Sequence, residues 1–177
     1  AGHRVVCQLL APLTKEAGVV DNTNMTGWPP LHLAAAGNHV NAITVLMRNG
    51  ANPDSRNAVL GGGTALHVAA RLGYHEAIET LVEREAQPDT LDTLNMSALH
   101  HAAARANARC VSVLLRSRAD ATKRGGHESA TPLDLVPADH ESSTKVRNLL
   151  SAYARPAPTD FRSDAHFDRF DDREISF

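Results

Sequence analysis

Thr64-Ala65-Leu66-His67-Val68-Ala69-Ala70 is the stretch from which the rest of the chain can be read. Pro29-Pro30-Leu31-His32-Leu33-Ala34-Ala35 stands before it, and Ser97-Ala98-Leu99-His100-His101-Ala102-Ala103 after it. A fourth and looser version, Thr131-Pro132-Leu133-Asp134-Leu135, follows. The aligned leucines Leu31, Leu66, Leu99 and Leu133 are 35, 33 and 34 residues apart. Self-similarity at a fixed period marks a chain built from stacked supersecondary units rather than around one thick core.

The local chemistry of the stretch predicts a helix. Thr64 or Thr131 can cap a helix that starts there by accepting a bond from a free backbone N–H, and Pro30 and Pro132 fall at the next position, where a missing N–H costs nothing. Leu66, Ala69 and Ala70 then lie at helical spacing, with alanine letting a second helix approach closely. That second helix is predicted around Ala42-Ile43-Thr44-Val45-Leu46-Met47, Ala77-Ile78-Glu79-Thr80-Leu81-Val82 and Cys110-Val111-Ser112-Val113-Leu114-Leu115, each followed by a turn. Aromatic residues make up only 4% of the chain, so Ala, Leu and Val must bury the helices, as suits thin layers.

These blocks resemble the T-P-L-H-x-A-A signature of ankyrin repeats, whose period is about 33 residues. The resemblance covers residues 5–152 and implies an all-α fold, an ankyrin-repeat α-solenoid with hairpin-like fingers, to which the remaining residues add an extended C-terminal tail. The expected organisation is a truncated leading repeat over 1–22, repeats over 23–57, 58–90 and 91–124, a C-terminal capping repeat over 125–155, and a Phe-rich acidic tail over 156–177. Asp134 replaces the signature histidine in the last repeat, and Pro137 interrupts its first helix. In the family the signature histidine, here His32, His67 and His100, bridges the cap side chain and neighbouring backbone. Leu31, Leu66, Leu99 and Leu133 are expected beside them as structural residues.

Composition narrows the function. A net charge of −2 and a pI near 6.6, with no basic cluster, give no general attraction to nucleic acid or anionic membranes. No apolar run approaches the roughly 20 residues needed to cross a bilayer, so membrane insertion is not expected. The two cysteines, Cys7 and Cys110, are far apart and lack a metal-type spacing, which predicts neither a disulfide framework nor a zinc site and fits a reducing, cytoplasmic location. Cys110 aligns with Ala42 and Ala77 and is expected to be buried, whereas Cys7 aligns with wetter positions.

Ten histidines invite a metal or catalytic reading, but one per repeat lies roughly 10 Å from the next, the spacing of packed helices. Metal ligands must converge to about 2 Å from one ion. His3, His39, His75, His127, His140 and His166 are scattered and read as surface residues. Gly61-Gly62-Gly63-Thr64 lacks the Gly-Lys-Ser/Thr ending of a phosphate loop and reads as a flexible finger. No nucleophile motif occurs, so no catalytic residue, metal or cofactor is assigned, and the chain is not read as an enzyme.

What remains is binding to another protein. The resemblance implies that fingertips and the concave face of the first helices make the contact, which selects Met25, Trp28, Leu60, Arg71, Leu72, Leu94, Met96 and Arg105. Trp28, the sole tryptophan, either anchors a partner or packs on the preceding finger. The second finger, 55–63, is two residues longer than the period and carries Val59-Leu60 near its tip, where exposed apolar side chains are better explained by contact than by solvation.

After Arg155-Pro156-Ala157-Pro158, the tail holds all four phenylalanines, Phe161, Phe167, Phe170 and Phe177, among six acidic residues and three arginines. Its composition is that of a disordered segment or of one that docks, either on the repeats or on another chain. The expected role is a scaffold or adaptor, with the tail as a second contact. An inhibitory or regulatory subunit of an enzyme, and an ankyrin segment of a larger cytoskeletal or multi-subunit assembly, are alternatives.

Overall fold

The computed structural model describes residues 27–138 and 141–154. The expected leading half-repeat, Met25, and the tail with its four phenylalanines lie outside the described residues. Within them the chain forms three helical hairpins, α1 (Pro30–Ala36) with α2 (Val40–Arg48), α3 (Ala65–Leu72) with α4 (His75–Glu83), and α5 (Ala98–Ala104) with α6 (Ala108–Arg116), followed by α7 (Ser143–Tyr153). Among the described residues the extended backbone amounts to two isolated bridges, Asn57 with Gly63 and Gly125 with Ala130.

Packing follows the period. The first helices α1, α3 and α5 contact one another in an inner layer, and α2, α4, α6 and α7 succeed one another in an outer layer. Leu31, Leu66 and Leu99 are 0%, 1% and 0% exposed, and each makes roughly 1.5–3 kcal/mol of burial available. From the outer layer, Ile43, Ile78 and Val111 close over them, with Leu46, Leu81 and Leu114 one turn on. Ala34-Ala35, Ala69-Ala70 and Ala102-Ala103 are buried where the paired helices meet, so small side chains set the closeness of the layers. No hairpin could cover both of its faces alone, which is why stability is shared between neighbours.

The fourth repeat differs from expectation. Its first helix does not form. Residues 131–136 instead make successive tight turns, with Asp134, Leu135 and Val136 N–H donating to the carbonyls of Thr131, Pro132 and Leu133. Pro137 explains this, because it has no N–H to return to Leu133 and its ring disfavours helical backbone at Val136. The Arg147 guanidinium on α7 donates to the Val136 and Pro137 carbonyls at 3.1 and 3.2 Å, satisfying groups that a helix would have used. Leu133 is accordingly only half-buried, while Val146 and Leu150 of α7 seal the outer layer against α6.

Candidate protein-interaction surface

The surface is positioned by a row of buried histidines. Thr64 N–H donates to His67 Nδ1 at 3.1 Å, and Thr64 Oγ1 lies 2.9 Å from the same nitrogen, completing a capping box with the third helical residue. Since Nδ1 accepts, Nε2 carries the proton and donates to the Met96 carbonyl of the next finger at 3.0 Å. Ser97 and His100 repeat the arrangement at 3.1 and 2.8 Å, with His100 Nε2 reaching the Ala130 carbonyl at 3.2 Å. His32 Nε2 lies 3.1 Å from the Gly63 carbonyl. Each signature histidine thus holds the root of the following finger against its own helix.

The neutral ring is the form this site requires. A proton on Nδ1 would face the Thr64 N–H donor, and the ring is buried. Burial, resisted by the bond to Met96, lowers the His67 pKa from 6.5 to about 4. Burial lowers that of His100 as well.

The fingers are also tied to one another. Thr93 N–H and Oγ1–H both donate to the Gly61 carbonyl, at 2.9 and 2.8 Å, and Gly126 N–H donates to the Leu94 carbonyl at 2.8 Å. At the finger roots, Asp54 accepts from Gln87 N–H and Asp89 from Asp120 N–H. The glycine stretch expected to be a flexible finger is therefore a bonded one. The two extra residues are taken up by a 3-10 turn, Ala58–Leu60, and by Gly61 and Gly62 at φ +64° and +68°, a conformation that strains other residues.

On this frame the sequence-selected residues fall as follows. Arg71 and Leu72 are exposed in the last turn of α3, and Arg105 follows α5 at the position equivalent to Leu72. Leu94 projects from the third finger, 46% exposed, while Met96 and Trp28 are half-buried at finger roots. Val59, beside Leu60 in the second fingertip, is 62% exposed. Arg71, Leu72, Leu94 and Arg105 thus come from two successive repeats.

Three contributors went unselected. Leu33 is 44% exposed on α1, and Asp92 accepts a hydrogen bond of 2.9 Å from His101 Nε2 beside Arg71. Leu33, Val68 and His101 all occupy the variable position after the signature histidine, which could have marked them. Asp92 also accepts from Leu94 and Met96 N–H at 2.9 Å, closing the third finger. Burial alone would push its carboxyl up, but the bonds from Met96, His101 and Leu94 outweigh that and hold it below the ordinary 3.8. The His67 and His101 rings meet edge to face, with centroids 5.8 Å apart. Gly63, His67, Val68, Arg71, Asp92 and His101 surround an open hollow of about 20 Å³, room for about one water.

Cys110 is fully buried and burial pushes its thiol up to about 12, so it stays protonated and out of reach. Among the described residues, no group of three or more His, Cys, Asp or Glu side chains could hold a metal ion, and no helix is long and apolar enough to cross a membrane. The exposed set combines leucines with two arginines that make no ion pair among the described residues.

Comparison with known families agrees with this geometry. A model described as ankyrin repeats, in three copies, matches residues 1–92, and one described as ankyrin repeat matches residues 94–125. No curated protein matches the chain.

Proposed function

Because the chain belongs to the ankyrin repeat family, whose repeats are generally protein–protein interaction modules, we propose that it is a non-catalytic adaptor that binds a protein partner through its inner helices and fingers. The observation that carries the reading is the coincidence of exposed Leu72 and Leu94 with Arg71 and Arg105 on elements tied together by hydrogen bonds between successive repeats. Leucine side chains held half in water on a rigid frame gain by being covered, and binding to a rigid frame costs little ordering entropy. Arginine adds charge-assisted bonds to carboxylates and is enriched where binding energy concentrates. A reducing compartment suits the free Cys110.

The test is affinity capture from native cells with the intact chain, a Leu72→Asp/Leu94→Asp variant, and a Glu83→Lys variant on the exposed outer layer. A partner retained by the intact chain and Glu83→Lys but lost from the leucine variant supports the reading. Equal retention by all three refutes it, because the binding surface would then lie elsewhere.

A further inference from the structure

We propose that the partner presents an acidic segment that also carries apolar side chains, and that Arg56, Arg71 and Arg105 receive its carboxylates. The inference rests on the reading above, since it names the chemistry of the ligand for the same face.

Stacking gathers arginines that lie far apart in the chain. Arg71, in the last turn of α3, lines a hollow together with Asp92 of the third finger and His101 of α5. Arg105 follows His101 by four residues, one helical turn on, and so stands on the same side of the stack. Arg56 precedes the second finger. A Cβ built on Gly62 of that finger would stand 2.9 Å from the Thr93 methyl and 3.9 Å from Arg56 Nη1, which places this guanidinium beside the third finger as well. All three side chains are exposed, and among the described residues none makes an ion pair or a side-chain hydrogen bond.

Charge is sided in a way that the net value of −2 does not announce. Helices α1, α3 and α5 hold no acidic residue. In the second and third fingers, over 57–63 and 92–96, the sole acid is Asp92, whose oxygens already accept from Leu94 N–H, Met96 N–H and His101 Nε2–H. Asp92 offsets one of the three guanidinium charges, so the inner side keeps a positive excess. The outer layer is mixed: α4 carries Glu76, Glu79 and Glu83, and Glu79 pairs with Arg116 of α6 at 3.3 Å.

Apolar exposure is sided in the same direction. Of the five exposed large hydrophobic side chains among the described residues, Leu33, Val59, Leu72 and Leu94 lie on the inner helices and fingers, and the fifth, Tyr153, is on α7. A ligand that covers the four must be apolar in part, and one that satisfies the arginines must bring anionic acceptors. The planar guanidinium matches a carboxylate through two parallel bonds. A nucleic acid would bring phosphates, but the exposed apolar side chains here are aliphatic and offer its bases no aromatic platform. An acidic protein segment interspersed with leucine, isoleucine or phenylalanine meets both demands.

Selection from a library of random peptides on the full chain tests this. Enriched peptides should combine Asp or Glu with Leu, Ile or Phe. Fluorescence anisotropy with the most enriched peptide should then show a loss of affinity of about tenfold or more for Arg56→Glu/Arg71→Glu/Arg105→Glu. Arg48→Glu/Arg118→Glu/Lys145→Glu, which changes net charge equally at exposed sites on and after the outer helices, should bind nearly as the wild type does. Replacing the peptide's acids by lysine should restore binding to the inner variant. Enrichment of neutral or basic peptides, failure to enrich any, equal losses for the two triple variants, or tighter binding of a single-stranded DNA oligonucleotide than of any selected peptide overturns the proposal. A captured protein that is lost from the Leu72→Asp/Leu94→Asp variant but kept by the inner arginine variant ends this inference and leaves the binding face standing, so the two readings fail separately.

Discussion

Acid should weaken this protein well before its carboxylates are protonated, and His67 is the reason. In the fold its pKa falls from 6.5 to about 4 because the ring is buried between the capping threonine and the Met96 carbonyl. The unfolded chain takes up the proton near pH 6.5 and the folded one does not until about pH 4. The neutral ring's contribution is thus fully present above 6.5, is lost as the pH falls through the interval, and changes no further below 4.

Linkage puts the full loss at about 3 kcal/mol, most of it between roughly pH 7.5 and roughly pH 4.5. With a urea dependence of about 2 kcal/mol per molar, the midpoint should drop by about 1 M over that range. Asp92 does not confuse the window, since its lowered pKa matters only below the ordinary 3.8. His100 adds a loss of the same sign. His67→Gln supplies the control, because glutamine at the third helical position can still accept from Thr64 N–H but cannot titrate. Urea denaturation at both pH values should show a lower midpoint at neutral pH and a much flatter dependence. An unchanged drop in midpoint between the two pH values for His67→Gln would refute the assignment of the proton to this ring.

Two further outcomes test the register and the backbone. Leu66→Ala and Leu99→Ala should each cost about 2–5 kcal/mol in urea denaturation, whereas Leu133→Ala, at a half-buried site beside tight turns, should cost about 1–2 kcal/mol; three equal costs would contradict the loss of the fourth repeat's first helix. Arg118→Gly should stabilise the chain by about 1 kcal/mol, since exposed Arg118 sits at φ +64° in the turn where the first repeat places Gly50 at φ +89°. A lower thermal midpoint for that variant would show that the turn gains more from the side chain than it loses to strain.

The repeats and their helices were legible because each signature residue does a job visible from its type and spacing. A hydroxyl or proline starts the helix, a leucine fills the layer, and alanines let the outer helix approach. The burial of Cys110 followed from alignment with Ala42 and Ala77. Other features depended on distances that exist only after stacking. The tie from Thr93 to Gly61 ends on a backbone carbonyl, which every residue carries, so residue type does not announce where the Thr93 hydroxyl and N–H will bond. Asp92 and His101 are nine residues apart and meet only because the third finger folds back on α5. Pro137 signalled an interruption, but that the whole helix would give way to turns depended on Arg147, ten residues on, taking its carbonyls.

Asp134 shows how one substitution changes what a repeat passes on. Its carboxylate oxygen accepts from Thr131 N–H at 2.8 Å and from Thr131 Oγ1–H at 2.7 Å, so it reproduces the half of the histidine's work that faces its own cap. Those bonds also hold its pKa below the ordinary 3.8. It cannot reproduce the other half. In His67 and His100 the accepting Nδ1 leaves Nε2 to donate on the far side of the ring, and with His32 Nε2 reaching the Gly63 carbonyl the grip on the next finger recurs in three successive repeats. An ionised carboxylate has no donor at all. The row of cross-repeat bonds therefore runs from His32 through His67 to His100 and stops at Asp134, where the first helix also gives way to turns. The fingers held by a histidine of the preceding repeat are those that precede that point, and they include the ones that carry Val59, Leu94 and Met96.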